Sequence, residues 1–288
     1  MNTKAASPPA AAPVTGRGIA AWWQATPLTL VFVLFFLIPL GLIGMVSFWD
    51  FNEYELLPDF TVKHYLAIFE GCSNTDEMCV WLITLLIGFT VSYFLAFHVR
   101  SSNVQTLLFV LCTIPFWTSN VIRMISWVPL LGRNGLVNQS LVGAGLIDTP
   151  IEWLLFSDFS VVLAFVHLYT MFMIVPIFNS MMRIDRSLIE AANDSGASAW
   201  QTLWHVIVPL CRTGIIIGSI FVITIVMGDF VTIGVMGGQQ IASVGKIIQV
   251  QTSYLQFPLA AANAVILLLL VLMIIWALTR LVDIRKEL

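Results

Sequence analysis

Two ionisable residues are unusual because they lie inside long apolar runs. Arg123 falls within PFWTSNVIRMISW, and Asp229 falls within MGDFVTIGVMGG. Ionisable groups in such surroundings are costly, so by default they are candidates for a functional role such as lining a solute path. Each also has a structural interpretation: Arg123 could pair with a carbonyl or carboxylate inside a helical bundle, and Asp229 could reach lipid headgroups from a helix end. The sequence leaves both interpretations open for each residue.

Groupings typical of enzymes or metal centres are missing from the sequence. Its four histidines, His64, His98, His167 and His205, have no ligand spacing such as HExxH, and there is no GxSxG motif. We therefore expect neither a metal nor another cofactor. The nearest approach to a phosphate loop is GGQQIASVGKI, whose spacing differs from GxxxxGK[ST]. Any ATP hydrolysis would have to take place on a separate protein.

A loop at residues 183–209, RIDRSLIEAANDSGASAWQTLWHVIVP, carries readable helix signals. Ser187 and Glu190 have the spacing of a capping box, and so do Ser198 and Gln201. Gly196 lies between the two boxes, where a glycine can end a helix in the left-handed conformation. The pattern predicts two short helices joined at a glycine elbow.

The predicted helices of this loop share an apolar face. Its members are Leu188, Ile189, Ala191, Ala192, Trp200, Leu203 and Trp204. The face could rest on lipid headgroups or on the base of the protein's own bundle. Alternatively, the small residues Ala191, Ala192 and Gly196 could let a partner protein approach closely.

The remainder of the chain is organised by long apolar segments. With 59% hydrophobic and only 10% charged residues, the composition excludes an ordinary soluble domain. A membrane span needs about 20 apolar residues. Six segments qualify, at about residues 28–48, 80–99, 104–131, 159–182, 206–235 and 260–281. The third is long enough to be a tilted helix. We predict an all-α integral membrane protein with six transmembrane helices, because unpaired backbone is not tolerated in lipid.

Basic residues predict the orientation of these spans, because loops rich in Lys and Arg stay in the cytoplasm. One set of loops and ends contains Lys4, Arg17, Arg100, Arg183, Arg186, Arg212, Arg280, Arg285 and Lys286, and the other set is mostly acidic. Both termini are therefore expected in the cytoplasm of a multi-pass inner-membrane protein. We predict that residues 1–26, rich in small residues and proline, form a disordered cytoplasmic tail. Residues 27–288 are predicted to form the transmembrane domain. No basic patch suits nucleic acid.

Two residue pairs have open interpretations. Cys72 and Cys79 lie in the outer loop EGCSNTDEMCVW, where an oxidising compartment would permit a disulfide, although two free thiols fit equally well. Gly214 and Gly218 form a GxxxG step in the fifth span, which permits close packing within the bundle or against a second subunit.

The string EAANDSGASAWQTLWHVIVPL resembles the EAA signature of ABC importer permeases. Its matching positions are Glu190, Ala191, Ala192, Gly196, Ile207 and Pro209, with Val208 where the pattern usually has Leu. The resemblance implies that loop 183–209 lies in a groove of a separate ATPase subunit and transmits its closure, and it favours the partner interpretation of the loop.

A second resemblance concerns the apolar runs around Arg123 and Asp229. Pro115, Trp117, Ser119, Arg123 and Trp127, the following GRNGLVNQSLVGAGLI and the run Gly228–Phe230 are similar to the spermidine/putrescine permease subfamily. This likeness implies a polyamine or a related amine, opine or amino-acid derivative as solute, although permeases for ferric iron share parts of the pattern. A carboxylate beside an aromatic ring suits a cationic amine. The candidate pathway residues are Trp117, Arg123, Trp127, Asp229 and Phe230.

Together, these resemblances imply the type I ABC importer permease fold and transport by alternating access. The expected partners are ATPase subunits, a second permease subunit, a periplasmic solute-binding protein and membrane lipid. A secondary transporter would need no ATPase but should show inverted repeats, which we do not find in the sequence. A membrane enzyme should show clustered catalytic groups, which are also missing.

Overall fold

The computed structural model describes residues 26–51, 56–57, 60–68, 76–238, 241 and 243–280. The helices are α1 Thr26–Val46, α2 Lys63–Ile68, α3 Asp76–Tyr93, α4 Ser102–Thr113, α5 Asn120–Ile125, α6 Val128–Leu131, α7 Leu136–Gly143, α8 Asp158–Met181, α9 Arg186–Asp194, α10 Ala199–Leu210, α11 Arg212–Gly228, α12 Val231–Met236, α13 Val244–Ser253 and α14 Phe257–Arg280. A short antiparallel hairpin pairs β1 Asp50–Phe51 with β2 Leu56–Leu57. The predicted tail at 1–26 lies outside the described residues except for Thr26, which begins α1.

Four helices in the described part of the chain are long and apolar enough to cross a membrane by themselves. They are α1, α3 with the π-helical turn Phe94–His98 that extends it, α8 and α14. These helices agree with the first, second, fourth and sixth predicted spans. Two further spans are present only if each of two bent helix pairs counts as one.

The third predicted span is not a single tilted helix, so that expectation is wrong. The helical segment Ser102–Trp117 ends in a 3₁₀ turn that contains Pro115, and the segment Asn120–Gly143 that follows is turned by 92°. Between the two, Thr118 and Ser119 have ψ angles of 152° and 135°, which are not helical. Proline has no amide hydrogen for a helical hydrogen bond, which favours a break close by.

The fifth predicted span is also interrupted. α10 and α11 meet at Cys211 with a bend of 68°. At the other end of α11, Asp229 adopts an extended conformation and separates α11 from α12. The segment at 206–235 is apolar enough on average for one span, although Pro209 and Arg212 flank the first break and Asp229 forms the second. Averaged hydropathy does not distinguish a straight helix from a broken one.

Helix α8 lies at the centre of the bundle, packed between α3 and α11. A Cβ atom built on Gly214 would lie 2.4 Å from the carbonyl oxygen of Pro176, and one on Gly218 would lie 2.7 Å from the Met173 sulfur. On the opposite side, a Cβ on Gly88 would lie 2.7 Å from Met173 Cγ. The GxxxG step of α11 therefore packs within the bundle, against α8, which decides the alternative that the sequence left open.

Hydrogen bonds between buried polar groups reinforce this three-helix contact. The Ser92 hydroxyl of α3 donates to the Ile174 carbonyl of α8 at 3.1 Å. The Trp81 indole of α3 donates to the Ser219 hydroxyl of α11 at 2.9 Å. Because no water is available in the bilayer core, each of these bonds satisfies a group that would otherwise be costly to bury.

The hairpin and α2 form a small charged cluster that packs beside α14. Lys63 hydrogen-bonds and ion-pairs with Asp50, and this contact lowers the pKa of the Asp50 carboxyl. His64 is buried, stacks on the Phe51 ring at 5.7 Å between centroids, and has its Nε2 atom 3.9 Å from Asp50 Oδ1. Burial, followed by the nearby charge of Lys63, lowers the pKa of His64.

Candidate functional site

The loop at 183–209 forms the expected elbow between α9 and α10. α9 ends with Gly196 at φ +81°, while the Gly196 amide donates to the Asn193 carbonyl and the Ala197 amide donates to the Ala192 carbonyl. These two bonds define a Schellman motif, which satisfies carbonyls at the helix end. A Cβ on Gly196 would meet no atom of the described chain within 4 Å, so the outside of the elbow is open.

The capping of the two loop helices is partly as predicted. The box at Ser198 and Gln201 is confirmed: the Ser198 hydroxyl accepts from the Gln201 amide, and the Gln201 side chain accepts from the Ser198 amide. The box at Ser187 and Glu190 is wrong. Asp185 caps α9 instead, because its carboxylate accepts from the Ser187 amide at 3.0 Å and starts the helix at Arg186. This backbone contact lowers the pKa of Asp185, outside the spans.

The EAA residues divide between an exposed and a buried surface. Glu190 and Ala191 are exposed on α9, and Ala192 is half-buried. Ile207 is only 2% exposed and lies under the loop, whereas Pro209 is exposed near the bend between α10 and α11. The structure thus presents α9 and the elbow outward and holds the loop to the bundle through Ile207.

A pocket of about 260 Å³ separates this loop from the π-helical turn that extends α3. Its lining residues are Tyr93, Phe97, Arg186, Ile189, Glu190, Asn193, Ala199, Thr202 and Ile207. Thr202 is buried, and its hydroxyl has no hydrogen-bond partner among the described residues. The loop is therefore not packed solidly against α3, which leaves space for it to move relative to the spans.

The second candidate site is a polar cluster where the breaks in the two bent spans approach α8. Arg123 of α5 is 8% exposed and donates from Nη2 to Asn120 Oδ1 at 2.5 Å. Its Nε has no partner among the described residues, and the guanidinium interacts electrostatically with Tyr169 of α8. The acceptor is therefore the carbonyl oxygen of a side-chain amide one turn away on the same helix, which agrees with the structural interpretation of Arg123 that the sequence left open.

Asp229 is directed inward at the break between α11 and α12. Its Oδ1 accepts from the amides of Val231 and Thr232 at 2.8 and 3.0 Å. Its Oδ2 accepts from the Thr232 hydroxyl at 2.5 Å and from the Tyr169 hydroxyl. Four donors therefore engage this carboxylate. The suggestion that it reaches lipid headgroups is wrong, because its oxygens are used to cap α12 and to join it to α8.

The other predicted pathway residues, all within the described ranges, are Trp117, Trp127 and Phe230, and none of their side chains hydrogen-bonds to Arg123 or Asp229. Trp127 donates from its indole to His167 Nδ1 of α8 at 3.0 Å. Trp117 and Phe230 are 86% and 42% exposed. Tyr169 hydrogen-bonds to Asp229 and lies within electrostatic range of Arg123, whereas Trp117 and Phe230 are exposed in the isolated chain.

Sequence reasoning missed several members of the cluster. They are Asn120, His167, Tyr169 and Thr232. Thr232 lies three residues after Asp229, which is the spacing of a side-chain cap, so a local signal existed for it. Tyr169 is 60 residues from Asp229, and only the packing of α8 brings the two together.

The remaining predicted sites concern sulfur and metals. Cys79 is exposed at the start of the second span, but Cys72 lies outside the described residues, so their pairing stays a prediction. Within the described ranges, no three His, Cys, Asp or Glu side chains are grouped so that they could hold a metal ion.

Comparison with known proteins agrees with this architecture. A family described as "Binding-protein-dependent transport system inner membrane component" matches residues 16–285. The spermidine/putrescine transport system permease protein PotB of Escherichia coli (strain K12) is 32% identical over 268 residues, covering 89% of this chain and 96% of that protein. The PotB protein of Haemophilus influenzae is 31% identical over 230 residues, covering 75% of this chain and 78% of that protein.

A solved structure shows the same fold. It is a chain of a bacterial alginate ABC transporter in complex with an alginate pentasaccharide-bound periplasmic protein, with a TM-score of 0.71 and 17% identity, covering 91% of this chain and 93% of that one. The predicted all-α fold of an ABC importer permease is confirmed. From its apolar helices and this match over most of its length, the chain belongs to the family of binding-protein-dependent transport system inner membrane components, multi-pass proteins of the bacterial inner membrane.

Proposed function

We propose that this chain is the non-catalytic permease subunit of an ATP-driven importer for polyamines or closely related amines. Each bent helix pair would complete one span, which gives six spans with both termini in the cytoplasm, as the basic loops indicate. ATP would be hydrolysed by separate subunits. The similarity to PotB proteins, whose names specify spermidine and putrescine, supports the solute class.

The observation that carries the proposal is the open elbow at Gly196. The Schellman motif fixes the angle between α9 and α10, and the exposed residues Glu190 and Ala191 lie on the same outward helix. Such a rigid, protruding corner suits insertion into a groove of an ATPase subunit. The pocket beneath it provides space for movement when the ATPase pair closes. Coupling of this kind requires two arrangements that the partner can bias.

The interrupted third span supports a solute path at a subunit interface. Thr118 and Ser119 have non-helical backbone and are exposed in the isolated chain, and Trp117 beside them is 86% exposed. Lipid cannot satisfy irregular backbone, so such segments lie against protein or a water-filled cavity. A second permease subunit, identical or paralogous, would cover this face and enclose the path.

The polar cluster bears on whether Asp229 could bind a cationic solute. Asp229 is saturated by four donors in this conformation, and Arg123 adds a positive charge nearby. We therefore assign the selection of the amine to the periplasmic binding protein. In alternating access, ATP binding would open the path outward to receive the solute, and hydrolysis would return it to the inward-facing state.

The coupling proposal is tested with two variants of one residue in the reconstituted importer. Gly196→Asn keeps a side chain that tolerates the left-handed conformation, so we expect it to retain much of the ATP-driven uptake. Gly196→Trp fills the open side of the elbow, so we expect insertion to be normal and uptake to be lost. Uptake by Gly196→Trp at the wild-type rate, or uptake without any ATPase subunit, would refute the proposal.

The solute proposal needs a separate measurement. The melting temperature of the associated binding protein should rise with spermidine or putrescine. Amino acids and ferric iron serve as comparison ligands. A rise with ferric iron alone would remove the polyamine proposal and leave the coupling proposal intact.

A further inference from the structure

Helix α10 has a buried face and an aromatic exposed face. Thr202 and Ile207 are 4% and 2% exposed, and they face the pocket under the loop. On the other face, Trp200 and Trp204 are 67% and 51% exposed, and their rings form a T-shaped pair with centroids 5.7 Å apart. Two tryptophans one turn apart form an apolar surface that the described chain does not cover.

The direction of α10 places this surface near the membrane boundary. α10 is bent by 68° from α11, so within the proposed span it forms the end that turns away from the axis of α11. Leu210, at the end of α10 that meets α11, is a further exposed apolar side chain of this helix, at 43%. Tryptophan is enriched at the headgroup level, because its ring is apolar while its N–H group can hydrogen-bond.

Charges around the loop favour lipid headgroups as the occupant. The exposed acids of the loop, Asp185, Glu190 and Asp194, lie at α9 together with Arg183 and Arg186, whereas α10 carries no acid and is followed directly by the exposed Arg212. Basic residues beside an amphipathic helix attract the anionic lipids of the inner leaflet. The exposed part of α9 differs, because it carries Glu190 and Ala191, an acid and a small residue.

We propose that the Trp200 and Trp204 face of α10 lies among the headgroups of the inner leaflet, and that α9 with the Gly196 elbow alone faces the ATPase. This inference rests on the proposed function and divides the loop between two occupants. α10 would then be held at the bilayer surface while the elbow is pushed. The displacement would pass to α11 at the Cys211 bend.

Photo-crosslinking in the complete importer tests this division. The complex is placed in nanodiscs of phosphatidylethanolamine and phosphatidylglycerol, with benzoylphenylalanine replacing Trp200, Trp204 or, as the matched control on the other helix, Ala191. We expect positions 200 and 204 to gain the mass of one phospholipid. We expect position 191 to crosslink to the ATPase subunit.

The outcomes separate this inference from the function on which it rests. ATPase adducts from positions 200 and 204 would overturn the lipid assignment and leave the proposed function standing. A lipid adduct from position 191, with no ATPase adduct, would contradict the proposed coupling and with it this assignment. Because the readout is an adduct mass, it does not depend on how well each variant transports.

Discussion

The contact between α8 and α11 makes a graded prediction about helix packing. Gly214→Ala would place a methyl group 2.4 Å from the Pro176 carbonyl oxygen and 2.9 Å from the Ile177 Cα, both backbone atoms that no rotamer change can move. Gly218→Ala would meet the Met173 sulfur at 2.7 Å, the flexible end of a side chain.

Overpacking a close-packed contact typically costs about 1–3 kcal/mol. We expect Gly214→Ala to lie at the upper end, with a loss of about 3 kcal/mol, because α11 must shift as a whole. Gly218→Ala should lose about 1 kcal/mol, because Met173 can change its rotamer. Gly41→Ala is the matched control in α1: its new methyl group would meet nothing of the described chain within 4 Å, so no loss is expected.

The assay is equilibrium unfolding of the purified chain by SDS in mixed micelles, followed by circular dichroism. The free energy of unfolding should be highest for Gly41→Ala, lower for Gly218→Ala and lowest for Gly214→Ala. If Gly214→Ala were as stable as the wild type, or less affected than Gly218→Ala, the assignment of this glycine step to α8 would be refuted.

Three further predictions concern polar groups. Asp229→Ala should cost about 3 kcal/mol in the same unfolding assay, because buried donors lose their acceptor. Tyr169→Phe should cost only about 1 kcal/mol, because three donors to Asp229 remain. Equal losses for the two variants would contradict the donor count. Ser198→Ala should remove about 1 kcal/mol of capping and speed hydrogen exchange in the first turn of α10, and unchanged exchange there would count against the cap. Because burial lowers the pKa of His64, this histidine binds the proton more tightly when α2 is unfolded, so its contribution to stability is complete above about pH 6.5 and is lost as the pH falls below it. The protection of the α2 amides, relative to exchange from an unfolded chain at the same pH, should therefore fall on acidification in the wild type but not in His64→Gln, and identical pH profiles of protection would argue against this role for His64.

Features set by neighbouring residues were predictable from the sequence. The Ser198 box and the Gly196 turn depend on groups within five positions, and the structure has both. The single-helix spans follow from the length of their apolar runs. The Ser187 box failed because Asp185, two residues upstream, accepts from the Ser187 amide that Glu190 would have accepted in that box.

Features set by distant residues were not predictable. The break at Thr118 falls among the polar residues Thr118, Ser119 and Asn120, but the run on either side is apolar enough for one span, so averaged hydropathy did not reveal the 92° turn. The partner of the glycine step in α11 is Pro176, and the partner of Asp229 is Tyr169. Both partners lie on α8, and only the packing of the helices determines these pairs. Burial and charge thus indicated which residues matter, while their roles depended on tertiary contacts.

The glycine contacts on both sides of α8 also limit how this protein can change shape. Since Met173 of α8 packs closely against both Gly88 of α3 and Gly218 of α11, the three helices cannot slide past one another without separating close-packed surfaces. The three helices should therefore move as one rigid unit. Bending is left to the joints around that unit at Thr118, Cys211 and Asp229, so a displacement of the loop at residues 183–209 would pass through the three helices with little loss.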